Sequence, residues 1–153
     1  MKEKKTINKI NIENRKARFD YEFINTYTAG MVLQGCEVKS IRNGDVSMSD
    51  SYCVFENDEL YLKNMHISPY KDSGFAYTDY EPKRDRKLLL TRHELRKLHQ
   101  SVKMNGLTIV PVRLYSTEKG LMKIVIALAK GKHSYDKSKS IKERDLDREM
   151  KNL

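Results

Sequence analysis

Residues 121–139 read LMKIVIALAKGKHSYDKSK, and this stretch holds the two halves of the chain's character side by side. From Leu121 to Ala129 only Lys123 interrupts the apolar residues, and Ile and Val are prominent. A short apolar run of that kind predicts a strand buried on both faces. Lys130 changes the character at once, Gly131 breaks the strand, and the chain to Leu153 is polar and charged. A core strand therefore feeds directly into a basic arm. One surface of a globular body and one tail are the expected working parts.

Outward from that stretch, the charge is unevenly placed. The chain has 153 residues with a formal net charge of +9. Residues 1–18 carry seven Lys/Arg against two acids, residues 83–103 eight against two, and residues 130–153 eight against five. Residues 19–82 reverse the balance, with four against eleven. Positive charge concentrated at both ends and in one internal block points to a polyanionic partner, nucleic acid ahead of an anionic membrane. The first ten residues, MKEKKTINKI, lack the apolar core of a signal peptide, and no stretch approaches the ~20 apolar residues of a spanning helix. A cytoplasmic protein without membrane association is expected. Cys36 and Cys53 fit neither a zinc pattern nor a disulfide framework and read as two buried free thiols.

Residues 1–16 show no usable periodicity and are expected to be a flexible arm, with a barrel domain over 17–132 and a basic tail over 133–153. Arg18 to Leu33 reads as a strand with Phe19, Tyr21 and Phe23 on one face, Gly30 marking a bend or bulge. Val38 and Ile41, followed by Asn43-Gly44, predict one short helix. Ser47 to Ser51 is a loop. Tyr52 to Phe55 and Leu60 to Met65, joined by Glu56-Asn57-Asp58, predict a hairpin. Residues 71–87 form a long polar loop carrying Phe75, Tyr77 and Tyr80. Thr91 and Glu94 have capping-box spacing, and Leu95, Leu98 and Val102 share a stripe, so a helix runs from there to Asn105-Gly106. Leu107 to Tyr115 is a strand, at an edge or bulged because Pro111 lacks an N–H. The fold class that follows is mainly β with short helices: a small antiparallel barrel with a helix over one end, plus a basic tail that is disordered when free. Leu146, Met150 and Leu153 share a helical face in that tail, too little to hold an isolated helix in water.

Catalytic signatures do not emerge. The seven glycines form no phosphate loop, the four histidines have no metal-pair spacing, and no nucleophile–base set stands out. No cofactor and no enzymatic activity are expected. RNA recognition is better supported, because it needs cations for phosphates and flat side chains for stacking. Tyr70, Phe75, Tyr77 and Tyr80 flank Lys83, Arg84, Arg86 and Lys87, and Lys130, Lys132 and His133 sit beside Tyr135.

Six motifs then occur in order: Gly35-x-Glu37-Val38-Lys39-Ser40-x-Arg42, Asp50-Ser51-Tyr52, Asn64-x-His66-Ile67-Ser68-Pro69-Tyr70, Arg84-x-Arg86-Lys87-Leu88-Leu89-Leu90, Ala127-Leu128-Ala129-Lys130-Gly131-Lys132 and Tyr135-Asp136-Lys137. Together they closely resemble the SmpB family, the SsrA-binding proteins of bacterial trans-translation, over roughly residues 14–150. The resemblance implies an oligonucleotide-binding-like barrel that binds the tRNA-like domain of transfer-messenger RNA (tmRNA, SsrA RNA). It implies delivery of that RNA to stalled 70S ribosomes, with elongation factor Tu engaged through the RNA. The tail would enter the empty mRNA channel near the small-subunit decoding region and become helical there. Residues and resemblance together give an RNA-binding set of Glu37, Lys39, Arg42, Asn64, His66, Tyr70, Arg84, Arg86, Lys130 and Lys132. The ribosome-binding tail set is Tyr135, Asp136, Lys137, Lys139, Lys142 and Arg144. His133 stands where the family often has Lys, and Ser138 where its tail usually has Arg, with Lys139 as the substitute. A carboxylate at Glu37 repels phosphate, so its RNA role would be to accept from base or ribose donors; the alternative is that Glu37 pairs with an arginine and fixes the fold. A general translation-associated or ribosomal RNA-binding barrel is the alternative function, and an RNA-processing enzyme a third.

Overall fold

The computed structural model describes residues 9–70 and 80–131. In chain order the elements are β1 (Asn11–Glu13), α1 (Arg15–Asp20), β2 (Tyr21–Met31), α2 (Gly35–Arg42), β3 (Val46–Ser47), β4 (Tyr52–Glu56) and β5 (Glu59–Lys63), followed by β6 (His66–Ile67), β7 (Arg86–Leu89), α3 (Arg92–Asn105), β8 (Thr108–Ser116) and β9 (Met122–Gly131). The strand order is β1-β8-β4-β5-β7-β2-β9, and β8 also pairs with β9. That extra pairing closes six antiparallel strands into a ring, which removes exposed sheet edges. β1 lies outside the ring, on the edge of β8 that β4 leaves free: Cys53 pairs with Ile109, while Asn11 to Glu13 pair with Tyr115 to Arg113. β3 and β6 form a separate two-stranded pair.

The apolar run that opens the tail is buried on both faces, as its composition predicts. Ile124, Ile126 and Leu128 point into the ring, beside Leu60, Leu62, Leu88 and Ile109. Each such side chain, fully withdrawn from water, contributes about 1.5–3 kcal/mol. Ala127 and Ala129 point outward and are covered, together with Val110 and Val112, by Ala17 of α1. Small residues on the outer face let that short helix approach the strands.

Strand direction places the helices. In an antiparallel ring, the end where β2 stops is also where β7 and β9 start and β5 stops. α2 follows β2 at that end, where Arg42 Nη2 donates to the Gly120 carbonyl at 3.5 Å. α3 links the end of β7 to the start of β8, so it covers the opposite end, with Leu95 and Leu98 in the interior core. β9 finishes at α3's end, and the basic tail begins there. Thr91 caps α3, accepting from Glu94 N at 3.1 Å, and Gly106 ends it in the left-handed conformation at φ 65°.

Several expectations need correction. Residues 11–16 are not a flexible arm: β1 pairs with β8, and Asn14 is buried. The Asn14 side chain accepts from Ala17 N at 3.2 Å and donates to the Pro111 carbonyl at 2.9 Å and the Met48 carbonyl at 3.3 Å. The same cap turns residues 15–20 into a helix, so the aromatic alternation from Phe19 is strand only from Tyr21 onward. Gly30 is regular in pairing, and the irregularity in β2 falls between Phe23 and Asn25. Of the two alternatives for Pro111 the bulge holds and the edge does not: the strand is paired on both sides, and a register shift between Pro111 and Arg113 accommodates the missing N–H. Cys53 is buried, which pushes its thiol pKa up, but Cys36 is only half-buried. The expected tail, 133–153, lies outside the described residues, as do Phe75 and Tyr77.

Candidate nucleic-acid interface

α2 carries Glu37 inward because Val38 and Ile41 must reach the core, and Glu37 shares that side of the helix. Its carboxylate has no solvent exposure. A charge buried this way needs complete pairing, and Glu37 has it. Oε1 accepts from the Gln34 backbone N–H at 2.8 Å and from Arg84 Nη2 at 2.5 Å. Oε2 accepts from Arg84 Nε at 2.9 Å, from Arg86 Nε at 2.9 Å and Nη2 at 2.6 Å, and from the Tyr80 hydroxyl at 3.0 Å. Burial alone would raise the Glu37 pKa, yet the hydrogen bonds from Arg84, Gln34 and Arg86 outweigh it and hold the carboxyl below its usual range. Arg86 is likewise fully buried and also donates to the Met65 and Pro82 carbonyls. Burial, reinforced by Glu37, pushes the Tyr80 hydroxyl pKa up although Arg86 pulls the other way.

Glu37 and Arg86, expected to face RNA, are therefore interior residues: in this structure neither has surface to offer a ligand. They lock the segment 80–86 onto α2. Arg84 is the member that reaches the surface, with 27% of its side chain exposed. Around it the structure gathers most of the other expected residues. Lys39 is exposed, its Nζ 5.4 Å from the centre of the half-buried Tyr70 ring. Arg42 is exposed on the next turn of α2. Ser40 Oγ donates to the Ser68 carbonyl at 2.7 Å and ties α2 to the 64–70 segment. Asn64 adopts φ 66° and donates to the Asp50 carbonyl at 3.2 Å, turning the chain so that His66 pairs with Ser47. Lys39, Arg42, Asn64, His66, Tyr70 and Arg84 thus share one end of the ring.

Lys130 does not join them. It pairs across the sheet with Glu22, at the opposite end, and is exposed. Lys132 and the tail residues Tyr135, Asp136, Lys137, Lys139, Lys142 and Arg144 lie outside the described residues. The sequence reading missed a cavity of about 430 Å³ lined by Asn14, Lys16, Asp20, Tyr21, Asp50 and Tyr52. Lys16 and Asp50 pair there at 2.6 Å, which raises the lysine pKa and lowers the aspartate's. The Asp50-Ser51-Tyr52 motif was the one available signal for it. Among the described residues, no group of three or more His, Cys, Asp or Glu could hold a metal ion, and no helix is long and apolar enough to cross a membrane.

Comparison with known proteins assigns this architecture. The profile of the family described as "SmpB protein" matches residues 11–153. The SsrA-binding protein of Phocaeicola vulgatus is 57% identical over 141 residues, covering 92% of this chain and 93% of that protein. That of Parabacteroides distasonis is 53% identical over 150 residues, covering 98% and 96%, and that of Cytophaga hutchinsonii 50% identical over 153 residues, covering 100% and 99%. A solved structure described as "tmRNA-SmpB: a journey to the center of the bacterial ribosome" contains a chain 48% identical to this one. It superimposes with a TM-score of 0.68, covering 83% of this chain and 87% of that one. The chain belongs to the SmpB protein family.

Proposed function

We propose that this protein is an RNA-binding adaptor that binds the tRNA-like domain of tmRNA and delivers it to stalled ribosomes for trans-translation and peptide tagging. The observation that carries this is the near-full-length identity to SsrA-binding proteins, joined to the fold shared with a tmRNA–SmpB complex on the ribosome. The role needs no enzymatic step and fits a cytoplasmic protein, with elongation factor Tu reached through the bound RNA.

The end of the ring at α2 offers the chemistry for folded RNA. Lys39, Arg42 and Arg84 supply positive charge, Tyr70 a flat face, and Asn64 and His66 neutral donors and acceptors for base or ribose edges. Glu37, Arg86 and Tyr80 act behind that surface by holding Arg84 in place. Lys130, at the other end, stands two residues before Lys132, which is assigned with it to RNA. Tyr135, Asp136, Lys137, Lys139, Lys142 and Arg144 are assigned to the small-subunit decoding region and the mRNA channel.

A competition between labelled tmRNA and bulk tRNA tests the reading. The adaptor role predicts that tmRNA is retained against a large excess of tRNA. Equal competition would favour a general RNA-binding barrel instead.

A further inference from the structure

The second concentration of charge has no place in that account. On α3, Arg92, Arg96, His99 and Lys103 recur at spacings of four, three and four, so they form one stripe along the helix. All four are exposed. Lys16, Arg18, Lys63, Arg84, Arg86 and Lys87 each pair with a carboxylate. None of those ion pairs involves Arg92, Arg96 or Lys103. Glu94 is turned toward Thr91 in the capping box, which leaves Asp58 of the β4–β5 turn as the acid lining the adjoining surface.

The stripe borders a groove between α3 and the β4–β5 hairpin. Midway along it, His99 lies against Phe55, ring centres 4.5 Å apart and planes tilted by 32°. Cavities of about 290 and 480 Å³ open on either side of that pair. The first is lined by Arg92 and Arg96, the second by Lys103 and the apolar edges of β4 and β8. Over eleven residues at 1.5 Å each the stripe runs ~16 Å, on the order of five phosphates of a stacked strand at about 3.4 Å apiece. Cations along a groove with a flat ring at its centre match the chemistry of single-stranded nucleic acid.

We infer that the α3 face is a second RNA-binding surface, which holds a single-stranded segment by its phosphates with one base against His99. It is distinct from the Lys39–Tyr70–Arg84 end, because α3 covers the opposite end of the ring. It lies at the end where β9 finishes. An acidic protein segment would satisfy the cations but would leave the aromatic plate and its flanking cavities unexplained. The inference rests on the reading of this chain as an RNA-binding protein.

The test uses the full chain, a labelled oligouridylate of about 12 nucleotides, and tmRNA measured in parallel. Replacing Arg92, Arg96 and Lys103 together with alanine should weaken oligouridylate binding on the order of ten-fold or more and flatten its log–log salt slope by about 2, since three single-strand contacts contribute ~0.7 each. His99→Ala should weaken binding without changing that slope, and His99→Tyr should restore it. Tight tmRNA binding should survive in every variant. Failure of the unaltered chain to bind tmRNA would remove the proposed function itself. Retained tmRNA binding with oligouridylate binding absent, or unchanged in the triple variant, would overturn the second surface alone. So would loss of tmRNA binding in the triple variant, or an oligoglutamate competing as well as the oligouridylate.

Discussion

Replacing Glu37 with glutamine would leave the Arg86 guanidinium buried with its counter-charge gone. Losing one member of a buried pair costs about 3–5 kcal/mol, so Glu37→Gln should lower the urea midpoint sharply with little change in slope. Acidity gives an independent check. The Glu37 carboxyl is held below its usual range when folded, so its stabilisation is fully present above the unfolded carboxyl pKa of about 4.3 and is lost as pH falls through the folded value. The stability gap between the parent chain and Glu37→Gln should therefore narrow below about pH 4, and a pH series of urea melts reads it. A gap independent of pH from neutrality to acid would contradict the assignment. The motif Glu37-Val38-Lys39 was legible in the sequence, but the side of the surface on which its carboxylate lies was not. Two arginines spaced two apart, forty-seven and forty-nine residues downstream, give no local sign that both converge on it.

At the scale of elements, Asn14 joins β1, α1 and β8 through one side chain. Asn14→Ala removes a helix cap worth about 1 kcal/mol and leaves the Pro111 carbonyl short of a donor, so a loss of roughly 2 kcal/mol is expected. Hydrogen exchange should show residues 11–20 opening before the ring does. Thr91→Ala should cost about 1 kcal/mol in the same way at α3. Elements with their own periodicity and caps were readable: α3 from Thr91, Glu94 and Gly106, the hairpin from Asn57-Asp58, and β9 from its apolar run. β1 and α1 were not, because a three-residue strand has no period and a six-residue helix exists only through the tertiary contacts of Asn14. The α2 end makes a binding prediction as well. Lys39→Ala with Arg42→Ala should weaken tmRNA binding and flatten its salt slope by about 1–2, measured by filter binding across salt concentrations.

For the molecule as a whole, the barrel places its functions by strand direction. An even number of antiparallel strands puts α2, the 64–70 segment and Arg84 at one end, and α3, Lys130 and the tail's origin at the other. The sequence grouped Lys130 with the Glu37 and Arg84 motifs because sequence order carries no information about which end of a ring a residue occupies. It did reveal that cations cluster in blocks, and the block over 83–103 divides between the two ends, Arg84 beside α2 and Arg92, Arg96 and Lys103 on α3. The separation is the central claim: folded RNA is bound by the body, while the ribosomal step belongs to the tail. A chain ending at Lys132 tests this most directly, assayed for tmRNA affinity and for peptide tagging on ribosomes stalled without a stop codon. The account predicts that tmRNA affinity is kept and tagging is abolished; a truncated chain that still supports tagging would contradict it.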